Sequence, residues 1–167
     1  MKRHRMRNII IIKMSIVIGA VAWVAGSPFA QTTKDIAGFY TIVAVTVVQG
    51  DKKIEPFGPN PRGAMALDAN GRYVVSLIRP GLPRFASNNR NTGTADENKA
   101  IIAGSFTHFG SYSVEPGYIV FRLENSTFPN WDGEEQRRAL TVTGDELAYS
   151  LTSTIGGTST VVWRRVR

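Results

Sequence analysis

The sequence predicts an all-β chain, an eight-stranded antiparallel up-and-down barrel with one helix between the third and fourth strands. Three observations carry that reading. Short runs rich in Val, Ile, Tyr, Phe and Thr recur along the chain, and such residues suit a pleated, half-buried surface. Turn signals separate the runs: Asp68-Ala69-Asn70-Gly71, Glu115-Pro116-Gly117, Thr143-Gly144-Asp145 and Ile155-Gly156-Gly157. Prolines 56, 59, 61, 80 and 83 all fall outside the apolar runs. A proline inside a central strand would remove a ladder donor, so their exclusion fits.

The elements follow in order. Lys2, Arg3, Arg5 and Arg7 precede an apolar stretch from Ile9 to Ala25, and Gly26-Ser27-Pro28-Phe29-Ala30 comes next. A basic start, an apolar middle and a small-residue end predict a secretory signal peptide over residues 1–30, with a barrel domain over residues 31–167. The uninterrupted run from Met14 falls short of the roughly 20 residues of a membrane helix. No stable membrane span is therefore expected after cleavage. The alternative is an uncleaved anchor over Ile9–Val24 with Lys13 snorkelling to the interface.

Gly38 to Val48 is a long β-branched and aromatic run, the first strand. Gly63–Leu67 and Tyr73–Ile78 flank Asp68-Ala69-Asn70-Gly71 as a hairpin. Residues 79–93 are irregular. Thr94-Ala95-Asp96-Glu97 has the spacing of a capping box, and two acids suit a helix start. Ile102, Phe106 and Phe109 then stand at i, i+4 and i+7. This spacing predicts a helix over residues 95–109 that packs its apolar face on the domain and stops at Gly110.

Strands are expected again over Ser111–Val114, Ile119–Glu124, Arg137–Val142, Glu146–Leu151 and Ser159–Val166. In the second of these, Ile119, Phe121 and Leu123 share one face. In the fourth, Leu147, Tyr149 and Leu151 do. Eight strands can close into a barrel that is filled by side chains or holds one small ligand.

The formal net charge of +7 misleads. Residues 1–30 hold five Lys and Arg and no acids. The remaining chain has fifteen Lys and Arg against thirteen acids, a net of +2. A nucleic-acid surface needs a clustered basic face. Arg137-Arg138 and Arg164-Arg165 lie in expected strands, where neighbours point to opposite faces. No nucleic-acid partner is expected. The chain has no cysteine, which excludes disulfides and a lipid-modified cysteine and leaves stability to the core.

Several segments together resemble a known family. They are Glu55-Pro56-Phe57-Gly58-Pro59-Asn60-Pro61-Arg62-Gly63, Asp68-Ala69-Asn70-Gly71-Arg72, Arg79-Pro80, Arg84-Phe85-Ala86 and Phe109-Gly110-Ser111-Tyr112. Ser126-Thr127-Phe128-Pro129-Asn130-Trp131 and Val162-Trp163-Arg164-Arg165 complete the set. In this order, over about residues 36–166, they resemble the bacterial lipocalin-like domain proteins. Gly38-Phe39-Tyr40 is similar to the Gly-x-Trp of lipocalin first strands, with Tyr40 in place of the tryptophan. The resemblance implies a small exported β-barrel, periplasmic or secreted, with an apolar cavity. It implies little chemistry.

The candidate ligand-binding set is Phe57, Arg79, Arg84, Phe85, Tyr112, Phe121, Phe128, Asn130 and Trp131. In Phe128-Pro129-Asn130-Trp131, two aromatics bracket a proline and an amide, which suits an apolar mouth with polar handles. The competing role is a barrel plug and a turn. Arg79, Arg84 and Arg90 could orient a carboxylate by paired hydrogen bonds, or bind loop carbonyls. Beyond residue 30 the only histidine is His108, so no zinc site of His/Cys type is expected. No cofactor is expected either. His108 is placed on the helix, as a surface or singly bonded residue.

Three functions follow, in this order. The first is an exported protein that binds a small hydrophobic or amphipathic molecule in a barrel cavity. The second is an isomerase- or cyclase-type barrel enzyme using His108, an interior Arg, or Tyr73, Tyr112 or Tyr149. The third is an envelope-interaction protein that presents loops 79–93 and 125–135.

Overall fold

The structure is a computed structural model that describes residues 31–167; the expected signal peptide lies outside the described residues. A one-turn helix, α1 (Thr33–Ile36), leads into the long strand β1 (Gly38–Gln49). A short strand, β2 (Lys52–Ile54), folds back on the end of β1. β3 (Arg62–Leu67) and β4 (Arg72–Ile78) form the next hairpin, and α2 (Ala95–Gly104) follows. β5 (Ser105–Glu115), β6 (Tyr118–Ser126), β7 (Glu135–Thr143), β8 (Glu146–Thr152) and β9 (Thr158–Arg165) complete the chain.

All pairings are antiparallel, and the sheet order is β2-β1-β3-β4-β5-β6-β7-β8-β9. β1 also pairs with β9 from Tyr40↔Arg165 to Val48↔Thr158, which closes eight strands into a barrel and leaves β2 as a short addition. Closure removes the free edges that would otherwise template aggregation.

Two expectations need correction. The helix lies between β4 and β5, not between the third and fourth strands. The reason is β2, whose three residues Lys52-Lys53-Ile54 are too short and too charged to show a strand pattern. Gly50, at φ 57°, sits in the two-residue turn that lets Gln49 pair with Lys52. The helix is also shorter than residues 95–109. Its capping box is present: Glu97 N donates to Thr94 Oγ1 at 3.2 Å, and Thr94 N donates to Glu97 Oε2 at 2.8 Å. It ends at Gly104, because Phe106 and His108 pair with Leu77 and Val75 of β4. Ile102 is 70% exposed rather than packed. Gly110 stops no helix. It lies inside β5 where the register to β6 shifts, and a Cβ there would collide with the Arg122 carbonyl.

One end of the barrel is plugged. Ile36 of α1 is fully buried. Tyr40 donates to the Ile36 carbonyl at 2.7 Å, and Arg165 donates to both Asp35 O and Tyr40 Oη. Tyr112 Oη donates to Asp68 O at 2.8 Å and to Thr33 O at 3.2 Å. The core continues upward through Met65, Val75, Ile119, Leu123, Leu147 and Trp163. Removing one such side chain from water stabilises the fold by about 1.5–3 kcal/mol.

Candidate functional site

The opposite end is open. A pocket of about 270 Å³ enters there, between the β1–β3 connection, the α2–β5 junction, the β6–β7 loop and the β8–β9 turn. Its walls are mostly apolar: Val45, Val47, Phe57, Leu77, Phe106, Leu151 and Val161, with Phe128 and Trp131 at the mouth. Strand alternation explains the inward set. Phe106, His108, Gly110 and Tyr112 share one face of β5, just as Arg138 and Leu140 share one face of β7.

The mouth loop is held by its own polar groups. Ser126 N donates to Asp132 Oδ1 at 2.7 Å, and Asn125 Nδ2 donates to Asp132 Oδ2 at 3.3 Å. Leu123 N donates to Glu134 O, and Gly133 N to Leu123 O. Pro129 opens a single 3₁₀ turn that ends on Trp131. This turns the indole inward, where it meets Phe106 edge-on at 5.2 Å and Phe128 at 5.8 Å.

The floor is polar. Arg138 is 2% exposed. Its guanidinium lies 4.8 Å from the Phe121 ring, 5.0 Å from Tyr149 and 5.7 Å from Trp131, within cation–π range. Arg138 Nη2 donates to Gln136 Oε1 at 2.7 Å, and Nε has no partner among the described residues. Five ion pairs are present among the described residues. All are formed by exposed side chains, and none includes Arg138.

His108, 1% exposed, stands beside it. Burial, reinforced by the Arg138 charge, holds the imidazole down at about 3, so it is neutral near pH 7. Burial pushes the Tyr73 and Tyr149 phenols up. Burial also lowers the Arg138 guanidinium, opposed by Tyr149 and Tyr73, but an arginine keeps its proton in a protein.

The nine candidate residues divide by place. Phe57, Phe128 and Trp131 line the pocket. Phe121, fully buried, underlies it against Arg138, His108 and Tyr149. Asn130 is exposed on the mouth loop and is not among the pocket walls. Tyr112 belongs to the plugged end. Arg79 binds the Pro56 and Ala103 carbonyls, a scaffold role. Arg84 is exposed, and Phe85 packs over Gly93 ahead of α2. Sequence reasoning missed Arg138 and the inward placement of His108, while Tyr149, a candidate of the enzyme reading, does line the pocket. The available signal was the alternation Arg138-x-Leu140-x-Val142, which puts Arg138 on the apolar face.

Among the described residues no three His, Cys, Asp or Glu side chains converge as a metal site requires. No helix among them is long and apolar enough to cross a membrane.

A family profile described as a lipocalin-like domain matches residues 37–166. No curated protein matches the chain. Among solved structures, a redesigned β-barrel is similar at 12% identity and a TM-score of 0.43, covering 83% of this chain and 98% of that one.

Proposed function

The chain belongs to the lipocalin-like domain family, and from that premise we propose that it is an exported binding protein for a small hydrophobic or amphipathic molecule. The observation that carries the reading is the pocket at the open end, walled by Phe57, Phe106, Phe128 and Trp131. Apolar walls with a few convergent polar groups are the usual make-up of a small-molecule site. The basic and apolar pattern of residues 1–30 supports export.

The enzyme reading finds less support. His108 and Tyr149 reach the pocket, but a general base works best with a value near the operating pH. An imidazole held at about 3 is a weak base near neutrality. The interaction reading is weakened by Trp131, which turns onto Phe106 and not outward.

The test is a titration with N-phenyl-1-naphthylamine, an uncharged probe that brightens in apolar surroundings. Saturable enhancement with one site per chain is the expected result. A linear, non-saturating signal would overturn the proposal. Export is tested separately, by fractionating cells that express the full chain: a product retained wholly in the cytosol contradicts it.

A further inference from the structure

Arg138 is a charge that the protein itself leaves unanswered. Its planar fork carries five N–H donors. Its polar partners are two neutral groups, Gln136 Oε1 at 2.7 Å and the Tyr149 hydroxyl, and Nε meets no acceptor among the described residues. The pocket walls contain no Asp or Glu. The surrounding Phe121, Tyr149 and Trp131 rings favour a cation over their faces, but they do not neutralise it. The side chains beside it add no compensating charge, since His108 is neutral and Tyr149 keeps its proton. A buried charge is ordinarily paired or bound to an ion. Arg138 also lines a second recess, together with Gln136, Leu151 and Thr152.

We propose that the ligand is an amphipathic monocarboxylic acid whose carboxylate is held by Arg138 at the pocket floor while its apolar part lies against Phe57, Phe106 and Trp131. This rests on the binding reading above. A guanidinium matches a carboxylate through two parallel hydrogen bonds. One positive charge in apolar walls suits one negative charge. A volume of about 270 Å³ is at the small end for ligand pockets, about 300–1,000 Å³, which favours a medium-chain or single-ring acid.

The experiment uses the full chain loaded with N-phenyl-1-naphthylamine and displaced at neutral pH by decanoate or by decanol. These two share a chain and differ in the head group. Decanoate is expected to displace the probe at about 10-fold lower concentration, the effect of a charge-assisted hydrogen bond. In Arg138→Gln the ratio between the two competitors falls to about one, whatever the absolute affinity of the probe. Equal potency of the two competitors on the natural protein overturns the inference and leaves the pocket reading standing. Retention of the preference in Arg138→Gln overturns it as well. Failure of the probe to bind at all removes the pocket reading and this inference together. The comparison on the natural protein needs no variant, so it decides the matter even if Arg138→Gln does not fold.

Discussion

Tyr73 Oη and His108 Nδ1 meet at 2.9 Å on the inner face of the β4–β5 ladder, where both side chains are almost fully buried. The fold therefore keeps a histidine that refuses a proton. The unfolded chain takes that proton up near the ordinary histidine value of 6.5, the folded one only at about 3. The stability this neutral form contributes is fully present above 6.5 and is lost as pH falls toward the folded value. Crossing that window costs up to about 1.4 kcal/mol per pH unit. Most carboxylates titrate below about 4.3, so the interval from pH 6.5 to about 5 isolates His108. In urea unfolding across that interval, His108→Gln should show a flatter profile than the natural protein. Parallel profiles for the two proteins contradict the assignment.

The pocket mouth is open to a direct test. Trp131→Ala removes a wall that faces Phe106 and Phe128. Probe affinity should fall about 10-fold, equivalent to about 1.4 kcal/mol. Phe85→Ala serves as the control. Phe85 lies outside the pocket walls, so its loss should leave probe affinity unchanged.

Gly110 and Gly117 make a useful contrast. A Cβ at Gly110 would strike the Arg122 carbonyl and the Glu124 amide, both backbone groups that cannot swing away. At Gly117 the space is open and only the φ of 75° resists a side chain. Gly110→Ala should lose about 2–3 kcal/mol, and Gly117→Ala about 1 kcal/mol. Denaturant midpoints measure both. Equal losses would show that the β6 bulge at Glu124 relaxes freely.

At the plugged end, Tyr40→Phe deletes the hydroxyl that donates to Ile36 O and accepts from Arg165. The expected loss is about 1–3 kcal/mol, because the buried carbonyl and the guanidinium each lose a partner. Probe binding should not change, since the pocket opens at the other end. A coupled loss of affinity would mean that the two ends are not independent.

Much of the strand plan was legible because turn chemistry is local. Asp68-Ala69-Asn70-Gly71 and Thr143-Gly144-Asp145 mark their hairpins, and β3–β4 and β7–β8 pair about them. The end of α2 was not legible. Ile102, Phe106 and Phe109 satisfy helical spacing, while Phe106, His108, Gly110 and Tyr112 satisfy the period of a strand. Only the pairing with β4, a contact distant in sequence, selects the second. Phe57, Phe128 and Trp131 could be anticipated from aromatics in loops between strands. Arg138 could not be anticipated from charge alone, because a lone arginine in a strand is ordinarily outside. Its alternation with Leu140 was the better guide.

The α1 plug has a kinetic consequence. On the binding reading, a barrel stoppered at one end by Ile36 and its tyrosine latches would load and unload at the opposite end. The loop at residues 126–134, fastened by Asp132, stands at that entrance, and a mutation that loosens the clasp should hasten loading and unloading of the probe together.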